Sequence, residues 1–393
     1  MIRRTQLSWR RLLTKCGPLF LARNSQLNIR IHRVKSLAVA VRDYVLRSIS
    51  QETGGLNVEA AKQFVDRLPD VLKRCDENIY GLPFAAEAYA FVHLVDRYRR
   101  FWDVLEALLR VGALPVRETA LDVLDVGTGP APALYAVNDF FEEMRTFATG
   151  TADCQRLHTV PPRLRSIEDS KAMIHLVHNL SEFTGRPGPF RPDRTKFEGF
   201  DPPAARVAKR ERLIEELIDV WDYSEPEARF QVQIDQADWQ GIDRYHFCIF
   251  SNFLTRVDDV LQRESELTHV FRALKPGGLV VVVGGSGSDY PRIYESIEGI
   301  AKKSNARRLG GVPNTIRCDY HNVEAEQIKQ LYCSIFNAVE QLTPLDDVKK
   351  TLPRNRDLWD PSTPLRGPRE FSIRAYRGPN RPPGTRFTRQ VTC

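Results

Sequence analysis

The sequence predicts an α/β fold built around a mostly parallel sheet, and three observations carry that prediction. From Ala120 onward, short β-rich runs alternate with helical patterns, as strands joined by crossover helices require. The apolar run Leu279–Val283 is short and bounded by glycines, which suits a strand buried on both faces. The run Leu121–Val126 carries an acid, Asp125, near its end and passes into a tight Gly127-Thr128-Gly129 turn before a helix begins.

Taken in order, the chain starts with a basic segment, 1–42, holding ten Arg or Lys and no acid. Trp9, Leu12, Leu13 and Cys16 recur there at helical spacing. This make-up fits a mitochondrial presequence, a basic arm for RNA or anionic lipid, or a frame begun upstream of the true start. No apolar core of about 7–15 residues follows, as a secretory signal needs. Residues 43–118 read as a helical region. Its strongest helix runs from Pro83 to about Arg110, with Ala86, Tyr89, Ala90, Val92, Leu94, Tyr98, Trp102, Leu105 and Leu108 on a broad apolar face. Gly112 and Pro115 end it. These aromatics serve core packing, with the alternative that one of them, such as Tyr89, closes over a bound ligand.

The sheet-bearing domain spans 119–378. Strands are expected near 121–126, 196–200, 230–235, 246–251, 279–284, 337–343 and 371–377, with helices at 203–220 and 260–274. About 65 residues separate the first two strands, roughly double what a loop and one crossover helix need. Residues 145–194 therefore read as a helical insertion. Its helix, Ser166–Gly185, presents Ile167, Met173, Leu176, Val177, Leu180 and Phe183 on one face, with Ser166 and Asp169 as an N-cap pair and Gly185 as the stop. Such a helix is placed to lid the substrate edge of the sheet. A Pro/Arg-rich loop at 346–370 is a second addition, and residues 379–393 read as a flexible basic tail.

Composition narrows the function classes. A hydrophobic share of 42% and a charged share of 27% are globular, and no apolar run approaches the roughly 18 residues of a membrane span. The seven cysteines form no metal-ligand spacing, so no metal is expected. Their odd number and scatter suit reduced thiols in the cytoplasm, or in the mitochondrial matrix if the basic start is a presequence. The net charge of +7 is uneven: residues 354–393 carry nine Arg against Asp357, Asp360 and Glu370, so the stretch between the basic ends is net acidic. A polyanion would be met by the ends rather than by the body.

The turn after the first strand discriminates between ligands. Small residues let the chain take angles that a Cβ resists and let a ligand approach the main chain. A dinucleotide's pyrophosphate wants three glycines in G-x-G-x-x-G, but the third position here is Pro132. That weakens the reading as a nicotinamide-dependent oxidoreductase. A ligand with an amino group and a ribose diol but no phosphate wants a carboxylate at the strand end, which Asp125 supplies.

On these residues the chain resembles the class I S-adenosylmethionine-dependent methyltransferases. Val123 to Ala131 is similar to their first motif, with Ala131 in place of the usual last glycine; Phe197 to Pro203 resembles the end of a second strand, Phe230 to Trp239 a third, Tyr245 to Leu254 a fourth, and Leu274 to Val280 the turn launching a fifth. The resemblance implies a Rossmann-like, seven-stranded, mostly parallel sheet with helices on both faces, preceded by a helical region, and S-adenosyl-L-methionine as cofactor. It implies cofactor contacts at Asp125, Gly127, Thr128, Gly129, Asp201 (Glu198 as alternative) on the ribose, Asp238 and Trp239 at the adenine, and Asn252 after the fourth strand. Amino-group methyltransferases carry Asn or Asp before Pro-Pro-Tyr at that last place; here Ser251-Asn252-Phe253-Leu254 lacks it, so Asn252 reads either as substrate-orienting or as a loop and capping residue. Tyr290, after Gly284 to Asp289, reads as a substrate contact or as packing under the next helix, and His175 and His178 as surface residues. The family has no universal catalytic residue, because alignment of the nucleophile does most of the work. The partner implied is a methyl acceptor. The alternative is an RNA-associated, methyltransferase-like ribosome assembly factor using the basic termini. Leu82 to Ala86 and Gly127 to Pro130 resemble the mitoribosomal small-subunit methyltransferase-like family, although its cysteine metal motifs are absent.

Overall fold

The computed structural model describes residues 16–22, 24–51, 55–73, 79–116, 121–151, 154, 162–168, 170–184, 245–287, 290–342, 345, 349–350, 360, 362–363, 365 and 369–378. A short helix at 16–22 precedes α1 (Asn24–Ser48) and α2 (Val58–Lys73). Helix α3 starts as Ala85–Tyr89, passes through a π-helical turn at Ala90–Leu94 and continues as Val95–Arg110. The sheet and its helices then follow as β1 (Asp122–Val126), α4 (Pro132–Thr149), β2 (Arg163–Ile167), α5 (Lys171–Thr184), β3 (Tyr245–Ser251), α6 (Val257–Gln262), α7 (Glu264–Arg272) and β4 (Leu274–Gly284). The chain continues through α8 (Tyr290–Lys303), β5 (Arg307–Arg308), β6 (Thr315–Cys318), α9 (Asn322–Glu340) and β7 (Arg369–Arg377).

Among the described residues the strands form one seven-stranded sheet in the order β2-β1-β3-β4-β7-β5, with β6 also paired to β7. β2, β1, β3 and β4 are parallel, and β7 runs against its neighbours. Alternate residues of each central strand enter opposite cores. Val123, Phe247, Ile249, Leu279 and Val281 join the larger cluster with α1, α3, α4, α5 and α9; Leu124, Val126, Cys248, Phe250, Val280 and Val282 join the smaller one with α6, α7 and α8. Coverage of both faces is why these strands read as near-continuous apolar runs.

The amino-terminal helices are part of this core. Phe20 meets Phe140 and Phe147 edge-on at 5.6 and 5.4 Å, and Val34, Leu37 and Val41 of α1 are fully buried. Arg30 and Arg33, counted in the basic segment, are committed internally. Arg30 bonds Glu324 at 2.6 Å, and Arg33 reaches Glu142 at 3.1 Å and Glu143 at 2.6 Å. Glu324 also holds the buried Arg99 at 3.1 Å. Burial opposes the Glu324 charge, but Arg99 and Arg30 outweigh it and keep the carboxyl below its ordinary range. The boundary expected between 42 and 43 falls inside α1.

Several expectations need correction. The second strand of the sheet is Arg163–Ile167, inside the stretch read as an insertion, and the helix after it is Lys171–Thr184. Its cap is Ser170, whose hydroxyl accepts from the Met173 N–H at 3.3 Å, and Ser166 lies in the strand. With Met173, Leu176, Val177 and Leu180 buried against α1 and its neighbours, α5 is a framework helix rather than a lid. Of the strand expected at 337–343, residues 337–340 end α9, where Ile328, Leu331, Tyr332, Ile335, Phe336 and Val339 recur at helical spacing, and 341–342 are a turn. The helix at 260–274 is two helices, breaking at Arg263. The strands expected at 196–200 and 230–235 and the helix at 203–220 lie outside the described residues.

Candidate functional site

Chain order across the sheet reverses at β1, with β2 on one side and β3 on the other. Doubly wound sheets bind ligands in the crevice outside the carboxyl ends of strands at such a point. This edge gathers Asp125 at the end of β1, the 127–129 turn, Glu168 after β2, and Ser251 to Phe253 after β3.

The turn is built from left-handed residues: Gly127 at φ 66°, Gly129 at φ 54° and Ala131 at φ 61°. Ala131 thus stands where a glycine would be unstrained, at a cost of about 1–2 kcal/mol, and Pro132 starts α4 directly after it. Beneath the turn Asp125 is 1% exposed. Thr128 Oγ1 donates to its Oδ2 at 2.7 Å, while Oδ1 has no hydrogen-bond partner among the described residues. Burial pushes the carboxyl up to about 7, with the Thr128 hydrogen bond pulling the other way.

Glu168 clamps the turn from the next strand. Its Oε2 accepts the Gly129 N–H at 2.6 Å and its Oε1 the Ser170 N–H at 3.0 Å. The resemblance puts an acid at the end of a second strand and names Asp201; in this sheet that place belongs to Glu168. Leu164 to Ile167 running into an acid and a capping Ser170 was a readable signal, but Arg163 and Arg165 broke the apolar run. Asp201, Glu198, Asp238 and Trp239 lie outside the described residues.

The remaining candidates divide. A Cβ on Gly127 would enter the ring of Phe253, so this glycine admits a side chain of the protein itself; that ring stacks on Phe250 with 6.4 Å between centroids. A ligand lying on Gly127 must displace it. Asn252 sits at the crevice in the left-handed region, φ 56°, which Asn tolerates better than most residues. Its N–H donates to Val283 O at 2.8 Å and its amide to Ser251 Oγ at 3.3 Å, so it shapes the loop. Tyr89 faces Gly129, 3.9 Å from where a Cβ would stand, and Arg97 donates to its hydroxyl. Tyr290 lies across Gly284 and Gly285, the packing alternative. At the opposite end of the strands, Arg163, Lys275 and His246 surround Asp122; they outweigh its burial and hold the carboxyl well below its usual range. Among the described residues no group of His, Cys, Asp and Glu could hold a metal ion, and no helix is long and apolar enough to cross a membrane.

No family model and no curated protein matches the sequence. Solved structures similar in backbone include the [4+2]-cyclase SpnF, 12% identical over 72% of this chain and 81% of that one, TM-score 0.30. A putative sarcosine dimethylglycine methyltransferase from Galdieria sulphuraria is 11% identical over 72% of this chain and 86% of its own, TM-score 0.31. A Haemonchus contortus phosphoethanolamine N-methyltransferase 2, in complex with S-adenosyl-L-methionine, is 14% identical over 79% of this chain, which spans only 60% of that protein, TM-score 0.29. Superpositions this loose leave the assignment to the chain's own residues. Its strand order and register establish a Rossmann-like, seven-stranded, mostly parallel α/β sheet with the candidate site at the switch point.

Proposed function

We propose that the chain is an S-adenosylmethionine-dependent methyltransferase acting on a methyl acceptor. Asp125 carries the reading. An unpaired buried acceptor costs about 1–3 kcal/mol, and here one sits directly under a glycine turn at the switch point of the sheet. An arriving ammonium group offers both the missing donor and the charge that stabilises the carboxylate, whereas a pyrophosphate would be repelled. Glu168 adds acceptor oxygens at the neighbouring strand end, suited to a ribose diol.

When bound, the cofactor supplies an electrophilic methyl on its sulfonium. The chain's own contribution is placement: Asp125 and Glu168 hold two ends of the ligand, Thr128 fixes the second Asp125 oxygen, and Asn252 stands on the rim of the crevice. The resemblance adds Asp238 and Trp239 for the adenine. A base is required only for an acceptor that must lose a proton.

Calorimetry with S-adenosylmethionine and, in parallel, NADH tests this. Asp125→Asn and Glu168→Gln should each weaken the first ligand at least about tenfold, or about 1.4 kcal/mol, and NADH should give no binding heat. A parent protein that ignores S-adenosylmethionine, or variants that bind it undiminished, would remove the reading.

A further inference from the structure

Beside the glycine turn, outside the crevice described above, lies a cleft of about 420 Å³ between the amino-terminal helices and α5. That is within the size range of small-molecule sites. Two chains of contact link it to the turn, through Glu168 and through Tyr89. Ser170 in its wall donates to Glu168, the clamp on Gly129, and Tyr80 in its wall meets the ring of Tyr89 at 5.3 Å.

The two walls differ in charge. One carries Glu87 with Tyr44 and Tyr80; the other carries Lys171, His175 and Asn179. The Tyr44 hydroxyl donates to Glu87 Oε1 at 3.2 Å, and burial together with Glu87 keeps that phenol protonated, so the carboxylate is a fixed acceptor. A carboxylate among aromatic rings suits an ammonium group. Lys171 and His175 are one turn apart on the facing helix and suit an anionic group. A ligand of one charge would be drawn to one wall and repelled by the other, whereas a ligand with both charges meets a complementary wall at each end.

Two irregularities mark the same place. Phe84, in its lining, is held at φ 59°, a left-handed conformation that a Phe side chain resists. The helix starting behind it runs into the π-turn Ala90–Leu94. Both kinds of feature recur at functional sites.

We infer that this cleft is a second ligand site, taking a small zwitterion with its ammonium end at Glu87 and its anionic end at Lys171 and His175. As the methyl acceptor, such a molecule would suit the reaction proposed above, and that role rests on that reading; binding in the cleft does not.

The test is calorimetry on the full chain with ω-amino acids from glycine to 6-aminohexanoate, using hexylamine and hexanoate as singly charged controls. At least one amino acid should bind about tenfold or more tightly than both controls. Glu87→Gln and Lys171→Met should each remove that advantage. His175→Ala, at an exposed position, should weaken binding several-fold and keeps the test valid if either of the others fails to fold. Asp125→Asn should leave this binding unchanged, which separates it from failure of the cofactor reading. The proposal is overturned if no amino acid binds, if the controls bind as well, or if S-adenosylmethionine displaces the amino acid competitively, making the cleft part of the cofactor's own site.

Discussion

Replacing Asp125 with Asn should stabilise the chain and weaken its ligand binding, with both effects governed by pH. Burial raises this carboxyl from 3.8 to about 7. Between those values the folded state keeps a proton that the unfolded state has released, so stability falls as pH rises through the interval and levels off above it. At about 1.36 kcal/mol for each unit, the full penalty is on the order of 4 kcal/mol. Asn matches the shape, offers Thr128 an acceptor and never ionises, so the variant escapes that penalty. Its advantage over the parent in urea denaturation should be small at pH 4 and grow to a few kcal/mol at pH 8. Affinity for S-adenosylmethionine should move oppositely. A cationic group needs the carboxylate, so parent binding strengthens as pH climbs to about 7, while the variant stays weak and flat. Denaturation and calorimetry over the same pH series read both. A stability gap that does not widen with pH, or a variant that binds like its parent, would refute the reasoning.

Gly127→Ala should cost about 2–4 kcal/mol, because the new Cβ enters the Phe253 ring and the residue is left-handed. Adding Phe253→Ala should recover the steric part, and a double variant no more stable than the single one would deny the contact. Glu324→Ala takes from the buried Arg99 one of its two carboxylates, leaving Asp103, and should lower stability by about 1–3 kcal/mol, read by thermal melting; an unchanged melt would mean that Glu324 contributes nothing to holding the two arginines. Removing residues 1–42 deletes Cys16, Phe20, Val34, Leu37 and Val41, each 0–1% exposed. At about 1.5–3 kcal/mol per large apolar side chain the loss rivals the roughly 5–15 kcal/mol that holds a domain together, so the truncated chain should not melt cooperatively. A cooperative melt at the parent temperature would fit a dispensable leader instead.

The legible strands were those whose evidence is local. β1 announces itself by Asp125 and the glycine turn, β3 and β4 by dense apolar runs, because a strand covered on both faces must be apolar throughout, and β7 by the alternation of Phe371, Ile373 and Ala375 with Ser372 and Arg374. β2 stayed hidden because it ends the described sheet and carries Arg163, exposed and paired to Asp122, in a run too short and polar to stand out. The strand expected near 337–343 falls on the end of α9, where packing of Ile335, Phe336 and Val339 in the larger core with the amino-terminal helices sustains a helix.

At the site the same division holds. Backbone angles, capping and periodicity are set by neighbours in the chain, so the sequence alone determined the turn, its acid and the α/β class. Which carboxylate meets that turn depends on β2 lying beside β1, which carries Glu168 to a glycine 39 residues away. That Phe253 lies on Gly127, that Arg30 and Arg33 are spent on internal acids, and that a two-signed cleft opens next to Glu168 all follow from long-range packing. The tertiary structure alone decided these, because side chains far apart in sequence become neighbours only when the helices and the sheet close on shared cores.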